Sequence, residues 1–454
     1  MKNQIKSLEK LGYLFNGMVM SILGYVTGIY LMYYFTDIFG LAAGVAGTVL
    51  LAGRIWDGVN DVATGFVVDN VHSKHGKLRP YLLWFAVPTA LVFAVMFANP
   101  QLSPTMKVVY AFVTYFLYDG LFTFAAVSGN LIMRATDESK GRVALTLFSA
   151  AGNSITNLAL PIFFYPVAVA LGGGDFAKGF SPMVAVLAVL VAAFLTFQFF
   201  TSKERVVPVD EKVALEKVSL REALSILFSN RPWIIAQLAS FASGLALYFV
   251  TSILPYFLKY ILKNEGGMYA LMIPFAATQI LFYFIIPVIA KKMGKRNAVL
   301  AALGLAILSR LMLIIAPTNM VMLMVTSAFL GIAIAFTNLY APMIADTVDY
   351  GEWKRNKRLE GMTAAVGGFF IKLAMAGAAG VIGWVLQAQG YNASLAAQPE
   401  SATNAIFSII IYVPVIVFVI SAAILLFYNL DKQLPQMHAE MEQRRAQSTT
   451  PSQD

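Results

Sequence analysis

Long apolar runs are the feature that most restricts how this chain folds. They recur about every 30 to 35 residues and are long enough to cross a bilayer as helices. The predicted helices 1 to 12 cover residues 11–36, 44–69, 81–99, 107–133, 143–171, 181–201, 232–258, 268–290, 297–316, 321–345, 361–388 and 404–428. The pattern predicts an all-α polytopic membrane protein with twelve transmembrane helices.

The composition excludes several classes of function. The 454-residue chain is 59% hydrophobic and 13% charged, and its mean hydropathy of +0.71 lies outside the range of soluble globular proteins. It has no cysteine, so disulfides and thiolate metal sites are excluded. Its histidines, His72, His75 and His438, fall in predicted loops or the tail. An intramembrane enzyme is therefore disfavoured.

The distribution of basic residues predicts the topology. Lysine and arginine collect in every second loop, whereas the alternate loops are short and almost free of them. Both termini should therefore face the cytoplasm. The net charge of +9 reports this topology rather than a nucleic-acid partner. We expect a multi-pass protein of the cell (inner) membrane.

One long polar interruption divides the chain into two sets of six helices. The expected domains are an N-terminal bundle at 1–201, a cytoplasmic middle loop at 202–231, a C-terminal bundle at 232–430 and a cytoplasmic tail at 431–454. The middle loop is expected to carry a short surface helix at 215–227. The similar segments GKLR at 76–79 and GKR at 294–296 occupy matching loops, which indicates a duplicated six-helix bundle.

Helix 2 carries two carboxylates and an amide in an otherwise apolar run. On an α-helix, Asp57, Asn60 and Asp61 share one face, where their oxygen atoms converge. Such oxygens suit a small hard cation, and a carboxylate at this depth is costly unless it is paired, protonated or ion-bound. We therefore predict a Na⁺ or H⁺ site at Asp57 and Asp61. The alternative is a structural pair with Arg54.

In the interior of the predicted spans, away from their ends, the other acidic or basic residues are Asp119, Arg310 and Lys372. Asp119 lies one turn before Thr123, and it is expected to recognise solute hydroxyls, to hold a proton or to pack through a hydrogen bond. Lys372 lies deep in helix 11 and needs a carboxylate partner, which predicts a pair with a helix-2 aspartate or Asp119. Arg310 is expected to snorkel toward the interface in a structural role.

Four segments resemble the signatures of a known transporter family. They read YYFTD at 33–37, RIWDGVND at 54–61, GKLRP at 76–80 and ADTVDYGE at 345–352. Over essentially the whole chain they resemble the glycoside-pentoside-hexuronide:cation symporters, the melibiose permease-like family of the major facilitator superfamily. The resemblance implies the major facilitator fold, with two six-helix bundles, no cofactor and no enzymatic activity. It also implies a cation site at Asp57, Asn60, Asp61 and Thr123, with Lys372 in coupling.

The family's galactoside-binding pattern does not carry over to this chain. Its helix-1 and helix-4 aspartates align with Ser21 and Ala126, and its helix-4 tryptophan falls near Asn130. The candidates for solute binding or coupling are Ser21, Tyr25, Asp119, Asn130 and Lys372. We expect a monomer, and the resemblance implies that it transports a sugar or glycoside. The alternative is a non-sugar solute such as a lysolipid, which predicts an apolar groove reaching the bilayer.

Alternating access is the expected mechanism. Cation binding at helix 2 would change the relative energies of the inward-open and outward-open states. A channel is disfavoured, because the scattered ionisable residues do not form a ring. Cytoplasmic charge pairs between 71–80 and 346–360 are expected to favour the outward-facing state, unless these charges only set the topology. The gating candidates are Asp69, Lys77, Arg79, Asp346, Asp349, Glu352 and Arg358.

Overall fold

The chain is helical throughout the part that can be described. The computed structural model describes residues 5–70, 73, 76–136, 138–205, 220–355, 359–395, 397–437 and 439–441. Within these ranges the only β contact is an isolated bridge between Ser73 and Gly76. The prediction of an all-helical chain is confirmed.

Long helices follow one another along the chain and keep the numbers used above. They are helix 1 (Ser7–Ile38), helix 2 (Ala43–Asn70), helix 3 (Arg79–Met96), helix 4 (Pro104–Ala126), helix 5 (Ser139–Leu171), helix 6 (Phe176–Thr201), helix 7 (Arg231–Ile261), helix 8 (Met268–Met293), helix 9 (Lys295–Met312), helix 10 (Met320–Thr337), helix 11 (Glu360–Ala388) and helix 12 (Glu400–Leu425). In the described ranges, ten helices are long and apolar enough to cross a membrane. Helices 2 and 9, with 28 and 18 residues, are not among these ten, and both carry ionisable side chains. The count of twelve spans stays a prediction.

Helix 10 ends earlier than the apolar run predicts. After a short turn, a second helix covers Tyr340–Arg355. Pro342 causes the break, because it has no N–H to donate to the carbonyl of Asn338 and its ring clashes with that carbonyl. The Asn338 side chain caps the C-terminal end of helix 10, since its Nδ2 donates to the carbonyl oxygens of Ile334 and Ala335 over 3.2 and 3.1 Å.

Packing divides the chain into two compact units. The first contains residues 1–215, 251–273 and 376–407, and the second contains 216–250, 274–375 and 408–454. The predicted domain boundaries stay a prediction. In the predicted middle loop, the short helix is Leu220–Phe228, and residues 206–219 lie outside the described ranges.

Helices 1 and 5 cross closely within the first unit. A Cβ on Gly17 would lie 1.8 Å from the carbonyl oxygen of Ser149, and a Cβ on Gly152 would lie 1.9 Å from that of Leu14. Small residues allow this approach, as in membrane helices generally. The crossing places the segment after Gly17 beside the middle of helix 5.

The second unit has an interface of small residues and one buried arginine. Alanines of helices 7 and 9 belong to a single buried cluster: Ala236, Ala239, Ala246, Ala298, Ala302 and Ala306. Arg310 is 4% exposed, and its Nε atom donates to Ser309 Oγ over 3.3 Å. The expectation that Arg310 snorkels is therefore wrong, because its head group is enclosed by the protein.

Gly17→Ala tests the helix crossing. The new methyl group would overlap the Ser149 carbonyl, whereas a Cβ on Gly24 of the same helix would meet no atom within 4 Å. We expect Gly17→Ala to destabilise the purified protein by about 1–3 kcal/mol, as overpacking does. Gly24→Ala is the matched control and should be neutral or stabilising, since alanine favours helix. Thermal unfolding in detergent measures both variants, and equal melting temperatures would contradict the tight crossing.

Candidate functional site

Arg54 connects two buried carboxylates from different helices. Its Nη1 atom lies 3.5 Å from Asp57 Oδ2 on helix 2 and 3.5 Å from Asp119 Oδ1 on helix 4. Each carboxylate side chain is 1% exposed, and the Arg54 side chain is 12% exposed. Buried charges are tolerated when they are paired. The ion pair considered as an alternative for helix 2 is thus present, and it extends to helix 4.

Close packing between helices 2 and 4 brings these groups together. A Cβ on Gly53 would lie 2.1 Å from Cε1 of Tyr115, so the tyrosine ring packs where only glycine leaves room. A Cβ on Gly120 would lie 3.7 Å from Oδ1 of Asn60. The absence of side chains at both glycines allows the ionisable groups of the two helices to meet.

The predicted cation ligands on helix 2 occupy two environments. Asp57 and Asn60 are 1% and 8% exposed, whereas Asp61 is exposed. The buried face continues to Thr64, which is 2% exposed. Asn60 Nδ2 and Thr64 Oγ1 make no hydrogen bond to any residue in the described ranges. Thr64 was not predicted, although its position one turn after Asn60 indicates it.

Thr123 occupies the predicted position on helix 4 and is partly buried. Its hydroxyl donates a hydrogen bond to the backbone carbonyl of Asp119 over 3.1 Å, which leaves the oxygen lone pairs available. In the part of the chain that is described, no three His, Cys, Asp or Glu side chains are grouped so that they could hold a metal ion. A cation at helix 2 would therefore need amide and hydroxyl oxygens, which Asn60, Thr64 and Thr123 provide.

Hydrogen bonds connect Ser21 of helix 1 to helix 5. Ser21 Oγ donates to Asn157 Oδ1 over 2.8 Å, and Asn157 Nδ2 donates to Asn153 Oδ1 over 2.8 Å. Ser21 is buried, whereas both asparagines are exposed. The two asparagines were not predicted as site residues. The sequence pattern that could have identified them is a pair of amides one turn apart in a mostly apolar helix. Amides both donate to and accept from hydroxyl groups.

The other solute candidates lie in different surroundings. Tyr25 is 7% exposed, and its ring packs edge-on against Tyr30 with a centroid distance of 6.0 Å. The side chain of Asn130 lies outside the described residues. Asp119 contacts Arg54, as shown above. Lys372 is partly buried on helix 11 in the second unit, and its pairing with a helix-2 aspartate stays a prediction.

Some gating candidates form contacts within their own unit. Glu204 accepts hydrogen bonds from the backbone N–H groups of residues 77–79 over 3.1, 2.7 and 2.7 Å, and so caps the start of helix 3. The Arg79 side chain donates from Nε to the carbonyl of Phe199 over 2.8 Å. In the second unit, Asp346 pairs with Lys295.

The remaining gating candidates do not test the predicted cytoplasmic charge pairs. Asp349 and Glu352 are partly buried on the helix after helix 10. The side chain of Asp69 and all of Arg358 lie outside the described residues. The predicted charge pairs between the two cytoplasmic segments therefore stay a prediction.

Another buried carboxylate lies at the C-terminal end of helix 1. The Asp37 side chain is 0% exposed, and its Oδ1 accepts from Lys259 Nζ over 2.7 Å and from Tyr260 OH over 2.5 Å. Its Oδ2 accepts from Tyr391 OH over 2.5 Å and from Thr36 Oγ1 over 2.8 Å. We call these five residues the Asp37 network, and it connects helix 1 to helix 7 and to the residues after helix 11.

Two π-helical turns position this network. They are Tyr34–Ile38, which carries Asp37, and Phe257–Ile261, which carries Lys259. A π turn shifts the direction of the following side chains and is frequent at functional sites. The YYFTD segment contains Asp37, but its partners lie too far along the chain for the sequence to indicate them.

The family profile described as MFS/sugar transport protein matches residues 12–432. The chain belongs to this family. Among its relatives, the isoprimeverose transporter of Lactiplantibacillus pentosus is 32% identical over 467 residues, which cover 100% of this chain and 95% of the relative. The inner membrane symporter YicJ of Escherichia coli (strain K12) is 30% identical over 441 residues, covering 93% and 92%. The symporter family predicted from the four segments is confirmed.

Solved structures of other transporters share the fold of this family member. The crystal structure of the D-xylose-proton symporter aligns with a TM-score of 0.62 over 93% of this chain and 96% of that one, at 15% identity. A likeness at this identity concerns the fold alone. As a member of the MFS/sugar transport family, the protein is a multi-pass inner-membrane transporter and not an enzyme.

Alanine substitutions at Asp37 and Lys259 test the Asp37 network. Removing one partner of a buried ion pair costs about 3–5 kcal/mol, so each single variant should unfold at a lower temperature in detergent. The double variant should lose clearly less than the sum of the single variants. The exposed pair Asp175 and Lys178, 45% and 78% exposed, is the control, and its coupling should stay below about 1 kcal/mol. Additive losses at Asp37 and Lys259 would contradict a coupled buried pair.

Proposed function

We propose that the protein is a secondary active symporter that couples a sugar or glycoside to Na⁺ or H⁺ by alternating access. The observation that carries this proposal is the buried face of helix 2, where the Asp57 carboxylate lies on the same side as Asn60 and Thr64. Two relatives support it, an isoprimeverose transporter and an inner membrane symporter. Twelve membrane spans, cytoplasmic termini and a monomeric state are parts of the same proposal.

The cation would act by neutralising a buried charge. Arg54 supplies one positive charge against the two negative charges of Asp57 and Asp119. A bound Na⁺ or proton adds positive charge at Asp57, and so lowers the cost of keeping this carboxylate away from water. If this cost differs between the inward-open and outward-open states, cation binding shifts their populations.

The proposed cation ligands extend the predicted set by one residue. They are Asp57, Asn60, Asp61, Thr64 and Thr123. Asp61 is exposed on helix 2 and would meet an arriving cation before the buried Asp57. Lys372 keeps its predicted role as the positive partner in coupling.

Solute hydroxyls would bind to the amides of helix 5. Asn153 and Asn157 are exposed, and Ser21 orients Asn157 by donating to its carbonyl oxygen. The hydrogen bond to Asn153 fixes the amide from the other side. A positioned amide recognises a hydroxyl group without a formal charge, which agrees with the absence of the family's galactoside-binding aspartates. Tyr25 and Asn130 remain candidates.

Alternating access requires contacts at both ends of the transporter that break when the protein opens at that end. The Asp37 network holds the C-terminal end of helix 1 to helix 7 and to the residues after helix 11, so it must separate if the protein opens there. The predicted cytoplasmic charge pairs would act at the other end.

Asparagine substitutions at Asp57 and Asp61 test the cation site. Each removes a negative charge while keeping the side-chain size, so Asp57→Asn should abolish cation-driven accumulation and Asp61→Asn should abolish or strongly reduce it. The measurement is uptake of a panel of radiolabelled mono- and disaccharides into proteoliposomes, with Na⁺ and proton gradients imposed separately. Asp175→Asn is the control, because asparagine also caps a helix well and Asp175 caps helix 6.

Comparing solute exchange without a gradient and concentrative uptake with one separates solute binding from cation coupling. Solute exchange without a gradient should persist in the aspartate variants, because the amides of helix 5 are unchanged. Concentrative uptake at the wild-type level in both variants would overturn the proposed cation site.

Asn157→Ala tests the solute site. Loss of a neutral hydrogen bond costs about 0.5–1.5 kcal/mol, so the KM for the transported solute should rise about two- to tenfold. The cation concentration that gives half-maximal uptake should change little. Thr146→Val is the control on the same helix, since the Thr146 hydroxyl donates to the backbone carbonyl of Arg142, one turn earlier. An unchanged KM for Asn157→Ala would remove helix 5 from the solute site.

A second candidate function, transport of a lysolipid-like amphiphile, has one observation in its favour. A cleft of about 570 Å³ lies between helices 2, 4 and 11. Its lining is Gly44, Val45, Thr48, Phe112, Trp384, Gln387 and Ala388. Uptake of a fluorescent lysophospholipid that competes with no sugar, and that Trp384→Ala reduces, would favour this function over sugar transport.

A further inference from the structure

Arg54 lies at the same distance from two carboxylates with different surroundings. Both contacts are 3.5 Å long. Asp57 lies on the face of helix 2 that also carries Asn60 and Thr64, which supply candidate cation ligands. Asp119 lies on helix 4, one turn before Thr123, and the proposed cation and solute sites do not include it. The shared guanidinium is the physical connection between the two carboxylates.

A cation that binds at Asp57 must compete with Arg54. Two positive charges at one carboxylate repel each other, so the cation binds well only if the guanidinium withdraws. The Arg54 side chain is 12% exposed and has little access to water. Withdrawal into apolar surroundings without a partner would be costly. Asp119 is already in contact and carries the charge that a withdrawn guanidinium needs.

We propose that Asp119 is a positioning residue that holds Arg54 when a cation binds at Asp57. It raises cation affinity through Arg54 and does not ligate the cation. This inference rests on the proposed function, because it assumes that Na⁺ or a proton binds at Asp57.

Two tyrosines near Arg54 cannot replace Asp119. Tyr115 and Tyr118 lie on the same helix as Asp119, are 1% and 4% exposed, and also lie near the guanidinium. A neutral phenol group offers the guanidinium a hydrogen-bond acceptor without a formal charge, whereas Asp119 supplies a full negative charge. Of these two carboxylates, Asp119→Asn would leave Arg54 with Asp57. A cation that binds at Asp57 would then have to displace the guanidinium from it.

Cation binding to the purified full-length protein tests this without any solute. Wild type, Asp119→Asn, Asp119→Glu, Arg54→Gln and the Arg54→Gln/Asp119→Asn double variant are titrated with NaCl against choline chloride, and proton uptake is measured with a pH indicator. Asp119→Asn should weaken Na⁺ binding about tenfold, or move proton uptake to lower pH, as expected for strongly coupled charges. Asp119→Glu should restore most of the affinity, because it keeps the charge.

The decisive comparison is made in the Arg54→Gln background. There, Asp119→Asn should change the affinity less than about twofold, because the residue acts through Arg54. An equal loss with and without Arg54 would make Asp119 a cation ligand and overturn the proposal. A lower melting temperature with unchanged cation affinity would make it a packing residue and overturn it as well. If Arg54→Gln does not fold, equal losses in Asp119→Asn and Asp119→Glu would overturn it.

The proposed function fails by a different result. Wild-type protein that binds neither Na⁺ nor protons, or binding that survives Asp57→Asn, would reject the cation site itself and this inference with it. Asp175→Asn, at the exposed cap of helix 6, should bind cations like the wild type in every arm.

Discussion

The ion pairs of Arg54 determine what helices 2 and 4 can do. Neither Asp57 nor Asp119 reaches solvent, and a charge in such surroundings persists only if an opposite charge lies close to it. One guanidinium serves both carboxylates, so a change at one alters the balance at the other. Coupling between two ligands needs a shared group of this kind. Binding at one site changes the affinity of the other only if both sites act on the same structural element.

This arrangement depends on backbone packing as much as on charge. Gly53 admits the ring of Tyr115, and the same close approach brings the Asp119 carboxylate to helix 2. Helices 1 and 5 meet through Gly17 and Gly152, and the hydrogen bond between Ser21 and Asn157 follows from that crossing. Small residues therefore decide which polar side chains meet, although they take no part in the chemistry.

Helical periodicity predicted part of the candidate site and missed part of it. The spacing of Asp57 and Asn60 placed both on one face, and both are buried. The same reasoning placed Asp61 with them, but Asp61 is exposed and Thr64 continues the buried face. Adjacent residues differ by about 100° around a helix, so the edge of a buried face depends on how the helix is rotated against its neighbours. Close packing against helix 4 at Gly53 and Gly120 constrains that rotation.

By itself, the sequence determined that the chain is a helical membrane protein, which family it belongs to and where its spans hold ionisable groups. Long apolar runs and local motifs suffice for these conclusions, because they depend on composition and short spacing. Only the tertiary structure decided the partner of each charge: Arg54 with Asp119, Glu204 with residues 77–79, and Asp37 with Lys259. These partners are 65, 126 and 222 positions apart, and which of them meet depends on how the helices pack, which no local pattern encodes.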